Sequence, residues 1–188
     1  MNNLDLFINY LCGEFNNDIQ IQREEKEGKF IHPKAKHINN ICNNKIKNLP
    51  ENFKGYFIIE ESYYEQNNFK NILPHLFLFT EDEYGNIVLT SYELPKDISK
   101  EDFRNDNQNL VMDYNEFKIS EKFEPMTYKF INDGFEGESI SKFTSTTTFI
   151  LKERIEKDIL YVSEIFKKDD KITFGCEKPI IYNRVKSF

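Results

Sequence analysis

Gly55-Tyr56-Phe57-Ile58-Ile59-Glu60-Glu61-Ser62-Tyr63-Tyr64 is the stretch on which the reading of this chain turns. It begins as an apolar strand, then sets two carboxylates and two phenols where the apolar run should continue. Successive strand residues point to opposite faces, so Tyr56, Ile58, Glu60, Ser62 and Tyr64 share one side. Phe57, Ile59, Glu61 and Tyr63 share the other. Whichever side faces inward, a carboxylate comes with it, beside a tyrosine. A buried carboxylate is costly unless it is hydrogen-bonded, so the strand either ends its burial here or lines a polar pocket. A polar pocket is the expectation.

The rest of the chain fits a scaffold for such a strand. Residues 73–79 alternate His75, Phe77 and Phe79 against Leu76 and Leu78, and Glu83-Tyr84-Gly85-Asn86 is a turn signal before a return strand at 87–93. Further strands are expected at 110–114, 126–131, 135–140, 144–152, 159–166 and 180–185. Asn132-Asp133-Gly134 and Lys168-Asp169-Asp170-Lys171 read as tight connections. Leu4, Phe7, Ile8, Leu11 and Phe15 recur at helical spacing and predict an N-terminal amphipathic helix, capped by Asn2 or Asn3 and ended by Gly13. Residues 16–30 read as turn and loop, with a short strand near 19–22 as an option. Residues 99–105 resemble a short helix with a carboxylate at N3. Eight to ten short strands joined by turns predict a mainly β fold, an antiparallel barrel or sandwich, in one domain spanning 1–188.

Composition narrows the function classes. The 188 residues hold 18 Phe and 10 Tyr but no Trp, a bias toward pleated surfaces. A net charge of −7 argues against nucleic acid as a partner, which needs concentrated positive charge. No apolar run is long enough to span a bilayer, and no cationic, then apolar, leader opens the chain, so a soluble cytoplasmic protein is expected. Cys12, Cys42 and Cys176 are odd in number and widely spaced, and are read as reduced thiols. His32, His37 and Cys42 match no structural zinc spacing. Glu81, Asp82, Glu83 and Asn86 lack the ordered ligand spacing of a calcium loop. No metal is expected, and no familiar enzyme motif is present. What remains is Glu60, Glu61, Tyr63 and Tyr64, with His75 on the neighbouring strand. A carboxylate there can accept a ligand's N–H groups while aromatics stack on its flat faces.

With those residues in view, the chain resembles the CpcT/CpeT chromophore-lyase family over most of its length. Gly13-Glu14-Phe15-Asn16-Asn17 with Gln20 or Gln22 is similar to that family's opening motif. Phe57-Ile58-Ile59-Glu60-Glu61-Ser62-Tyr63 resembles its aromatic strand ending in Glu-Gln, with Glu61 in place of Gln. Pro74-His75 falls where the family has Pro-Tyr before arginines. Phe135-Glu136-Gly137, Tyr161-Val162-Ser163-Glu164, and Phe174-Gly175 followed by Pro179-Ile180-Ile181-Tyr182-Asn183-Arg184 are similar to its later segments. Leu76 and Leu78 replace the arginines, the loop at 167–172 is shortened, and Pro125-Met126 stands for Gly-Cys.

The resemblance implies a calycin- or lipocalin-like antiparallel β-barrel with an N-terminal helix. It also implies that the barrel holds a linear tetrapyrrole (a bilin), not itself covalently attached, and assists its attachment to a cysteine of an acceptor protein. Glu60 would then hold the pyrrole N–H groups and be the catalytic candidate, acting by positioning the bilin. Glu61, Tyr63, His75, Tyr161, Tyr182 and Arg184 complete the ligand-binding set that the resemblance implies. A bilin carries two propionates, best held by arginine, so the leucines point to an alternative: a non-catalytic binding module of the same fold for another apolar or planar small ligand. A barrel solidly filled by side chains is the third reading. A second copy of the chain stays open as a partner.

Overall fold

The computed structural model describes residues 2–66 and 69–188. Helix α1 (Asn3–Leu11) leads into β1 (Gly13–Asn16), helix α2 (Asp18–Lys26) and β2 (Lys34–Ile41). The short β3 (Ile46–Lys47) precedes β4 (Tyr56–Gln66), β5 (Phe69–Glu81) and β6 (Ile87–Tyr92). A long excursion carrying β7 (Met112–Asp113) then reaches β8 (Met126–Ile131), β9 (Gly134–Lys142), β10 (Thr147–Ile155), β11 (Ile159–Lys168), β12 (Lys171–Gly175) and β13 (Ile180–Lys186).

Neighbours in the sheet are neighbours in sequence. β1, β2, β4, β5, β6, β8, β9, β10, β11 and β13 pair antiparallel in that order, and β13 pairs back onto β1. The result is a closed ten-strand up-and-down barrel of the calycin-like kind, with a helix at its N-terminus. β12 continues the line of β13 along β11, and β3 and β7 form a separate parallel pair.

Local chemistry sets the hairpins. Asn132 and Asp133 (φ 49° and 61°) and Asp169 and Asp170 (φ 49° and 62°) supply the two left-handed positions of tight two-residue turns. The seam between β1 and β13 runs so close at Gly13 that a Cβ there would strike Arg184 and the Lys186 carbonyl. Asp82, once weighed as a calcium ligand, accepts from the Tyr84 and Asn86 backbone N–H groups and the Asn86 amide at the β5–β6 hairpin tip.

α1 plugs one end of the barrel. Asn2 caps it by accepting from the Asp5 N–H at 2.7 Å. Its apolar face, Leu4, Phe7, Ile8 and Leu11, is buried. Phe7 lies 4.9–5.1 Å, ring to ring, from Phe79, Tyr128 and Phe135. Phe15, counted with this helix by spacing, belongs to β1, because the helix ends at Leu11. A second core sits outside the barrel, where the excursion from β6 to β8 covers Phe57, Ile59, Leu76 and Leu78 with Phe103, Leu110 and Met112.

Three expectations on local structure are corrected. Residues 18–26 form α2, not a loop or a strand. This helix has no apolar stripe; it is held by polar bonds, with Gln20 donating to the Pro179 carbonyl and accepting from the Ile181 N–H. Residues 99–105 make turns, although Ser99 does cap Asp102. The strand expected at 110–114 shrinks to Met112–Asp113.

Arg184 fastens the plug. Its side chain is only 9% exposed; it donates to the carbonyls of Asn9, Tyr10, Cys12 and Lys157 and pairs with Asp158. The carbonyls of Tyr10 and Cys12 stand at the C-terminal end of α1, where helix carbonyls lack intrahelical partners. Arg184→Ala should therefore lower stability by about 2–4 kcal/mol, read as a lower urea midpoint at unchanged m-value. An unaltered midpoint would mean that this guanidinium is free for another task.

Candidate functional site: a carboxyl cluster in the barrel lumen

Strand parity decides which polar groups enter the barrel. On β4, Ile58 belongs to the interior core and Tyr56 and Tyr64 pack against it, so Glu60 and Ser62 share the inward row. Ile155 and Leu151 place Glu153 inward on β10, and Leu160 and Val162 do the same for Glu164 on β11. Ala35 puts His37 and Asn39 on the inward row of β2, and Phe77 and Phe79 put His75 on that of β5.

Glu60 stands between Asn39 and His75 in register. β4 lies far around the ring from β10 and β11, so Glu60 faces Glu153 and Glu164 across the lumen. Each carboxyl receives one neutral donor: Ser62 hydroxyl to Glu60 at 3.1 Å, Tyr64 hydroxyl to Glu164 at 3.1 Å, and Tyr128 hydroxyl to Glu153. His37 Nδ1 is 3.9 Å from Glu60, and its ring lies against Tyr182 at 4.3 Å, tilted by 33°. Glu60 keeps 14% of its side-chain surface accessible although it points inward. Glu153 and Glu164 are likewise only half-buried.

The electrostatics follow from low dielectric and like charge. Burial, then Glu153 and Glu164, hold the Glu60 carboxyl well above the ordinary range. Burial pushes Glu153 up to about 7 against the opposing bond from Tyr128, and burial also raises Glu164. The histidines move the other way: burial takes His37 down to about 3 and His75 to about 4. His37 is thus a neutral neighbour of Glu60, not an ion-pair partner. Among the described residues, no Lys or Arg pairs with any of the three glutamates.

The expected site residues do not all meet here. Glu60, His75 and Tyr182 do. Glu61 and Tyr63 lie on the outer row of β4, under the β6–β8 excursion. There Glu61 accepts from the Asn105 backbone N–H at 2.7 Å, from the Asn105 amide at 2.9 Å and from the Tyr63 hydroxyl. Tyr161 faces an open depression of about 510 Å³ on the outer wall, among Lys129, Glu138, Lys152 and Arg154. Arg184 closes α1. The sequence reasoning missed Glu153, Glu164, Tyr128, His37 and Asn39. A signal was available: Leu151-x-Glu153-x-Ile155 and Leu160-x-Val162-x-Glu164 interrupt apolar alternation as Glu60 does.

The remaining candidates resolve as structure. His32 bonds Glu24 and, at 3.0 Å, the Lys178 carbonyl, tying α2 to the segment before β13. Cys12 and Cys42 are free thiols that burial pushes up to about 12, far from a reactive thiolate. Among the described residues, no three metal-ligating side chains gather to hold an ion, and no helix is long and apolar enough to cross a membrane.

The raised glutamates keep protons in the folded state that the unfolded chain has already released. Their contribution to stability therefore falls as pH rises from the ordinary 4.5 through about 7 and beyond. The depressed histidines act oppositely, losing stability as pH falls from 6.5 toward 4 and 3. The two effects oppose each other near pH 5–6, and only the glutamates act above it. Stability should drop by about 1–3 kcal/mol between pH 6.5 and 8. Glu60→Gln and Glu153→Gln should each flatten that slope in urea titrations; a wild-type slope in both variants would place the protons elsewhere.

Compared with known proteins, the chain is matched by no family model, and no curated protein or solved structure matches it significantly.

Proposed function

We propose that this chain is a small-ligand binding module, a barrel whose lumen receives a ligand bearing N–H donors, without a catalytic step of its own. The observation that carries this reading is Glu60, an inward carboxyl with one weak donor, Ser62, and, among the described residues, no Lys or Arg paired with it. A carboxylate accepts about four hydrogen bonds. An interior that supplies one leaves the others for an occupant, and an empty site of this kind penalises the fold. Binding groups that strain a protein are a common mark of function. His75 stacked on Phe77 (5.3 Å, interplanar angle 8°) and the tilted His37–Tyr182 pair (4.3 Å, 33°) offer aromatic walls beside the acceptor.

Bilin attachment is the second reading. It is favoured by Glu60 itself, the residue that the family resemblance sets against pyrrole N–H groups. Two features weigh against it. Propionates need cations, and Arg184 is engaged with backbone carbonyls at the barrel end. Glu153 and Glu164 would repel the propionates instead.

Native mass spectrometry of the purified protein tests the binding reading. The wild type is expected to carry a small non-covalent adduct, with occupancy at least tenfold lower in Glu60→Gln. An adduct-free wild type whose Tm also ignores a panel of N–H-bearing ligands would count against it. Adding phycocyanobilin tests the second reading, which an unchanged visible spectrum at micromolar protein would rule out.

A further inference from the structure

The lumen has too many acceptors for its donors. Three carboxyls share three neutral donors, Ser62, Tyr64 and Tyr128. Two further polar atoms on the inward row of β2 are buried without partners: Nε2 of His37, a residue 2% exposed, and Oδ1 of Asn39, fully buried. The Tyr182 hydroxyl lies near that of Tyr64 without meeting hydrogen-bond geometry. Buried polar atoms are seldom left unpaired, so each such atom points to something missing from the site. Partners for these atoms are what is missing, and so is positive charge. The titratable groups facing this cluster are His37 and His75, both neutral, the phenols of Tyr64, Tyr128 and Tyr182, which burial holds in the neutral form, and the carboxyls themselves; Lys100 acts on His75 only from an exposed position.

A single metal ion does not fit this arrangement. The carboxyls come from opposite walls and do not converge into a coordination cluster. They are also staggered along the barrel. Glu153 pairs with Val162, while Glu164 lies two residues further along β11, a step of about 7 Å. An alkyl tether of about four or five carbons spans such a step. The walls between are aromatic, from Tyr64, Tyr182 and Phe77, which suits methylenes and ammonium groups together.

We propose that the lumen takes an extended aliphatic di- or polyammonium cation, one ammonium received between Glu60 and Glu153 and the next by Glu164. The proposal rests on the reading of the barrel as a binding module and names the class of ligand. It differs from a neutral N–H donor in one measurable respect. A cation draws the carboxyls into their ionised form, so binding near neutral pH must release protons.

Isothermal titration calorimetry of the full chain with putrescine, cadaverine and spermidine, at pH 7 in phosphate and in Tris, reads both affinity and proton release. Putrescine or cadaverine should bind at least tenfold tighter than n-butylamine, and 1,4-butanediol should not bind. About one to two protons should leave on binding, seen as a difference in apparent enthalpy between the buffers. Glu153→Gln and Glu164→Gln should each weaken diamine binding at least tenfold. Glu138→Gln, on the outer-wall depression beside Lys152, should leave it unchanged. Circular dichroism and urea unfolding confirm that each variant is folded. Equal affinity for diamine and monoamine, binding without proton release, or loss of binding in Glu138→Gln alone would each overturn the cation assignment. If the amines fail while an N–H-bearing adduct dependent on Glu60 is still found by native mass spectrometry, the cation assignment falls and the binding module stands. If both fail, both readings fall.

Discussion

Three register pairs between β1 and β13, Glu14 with Lys186, Phe15 with Arg184 and Asn16 with Asn183, turn a curved sheet into a barrel. Every other pairing around the ring joins barrel strands that follow one another in chain order. This seam alone brings the two ends of the chain together, and it is short. It is reinforced by side chains instead of ladder length. Gln20 of α2 accepts from the Ile181 N–H of β13 and donates to the Pro179 carbonyl just before it, and the guanidinium of Arg184 lies 4.5 Å from the centre of the Phe15 ring while donating to the end of α1. Closure removes the free edges of an open sheet, and it gives the inward rows an inside to face.

That inside explains the opposite fates of two adjacent glutamates. Glu60 and Glu61 are chemically identical and one pleat apart. Glu61 points out, meets Asn105 twice and a tyrosine, and becomes the anchor by which the β6–β8 excursion is tied to the wall. Glu60 points in and meets a hydroxyl, an uncharged imidazole and two more carboxyls. The first arrangement satisfies its charge. The second leaves the carboxyl protonated and most of its hydrogen-bonding capacity unfilled, which is the physical basis for reading the lumen as a receptor and the outer pocket as architecture.

Much of this was legible from residues alone. The alternation around Tyr56–Tyr64 announced a strand with a polar inward end, and Asn132-Asp133 and Asp169-Asp170 announced tight turns that the structure contains. α2 was illegible because its only apolar residues are Ile19 and Ile21, with Ile19 left 55% exposed; it is a helix fixed by polar tertiary bonds, which leave no periodic trace. Residues 99–105 show the converse. The local capping signal is genuine, as the Ser99–Asp102 bond proves, but Asn105 is drawn to Glu61 and to the Ile38 and Ile59 carbonyls, and the helix does not propagate. The carboxyl cluster was half visible. Glu60 stood out beside an acidic twin, whereas Glu153 and Glu164 each interrupt a strand singly, and only the ring order shows that the three oppose one another.

The seam also dictates when this molecule can become itself. Arg184 reaches a carbonyl 172 residues earlier in the chain, so the last strand must arrive before the first has its second partner. Until then a nascent chain presents unpaired strand edges and an acid-lined trough open to water. Pairings of such long range slow folding. During that interval the mutually repelling glutamates remain hydrated and charged, and the carboxyls that take up protons in the finished interior keep the unfinished one from collapsing on itself.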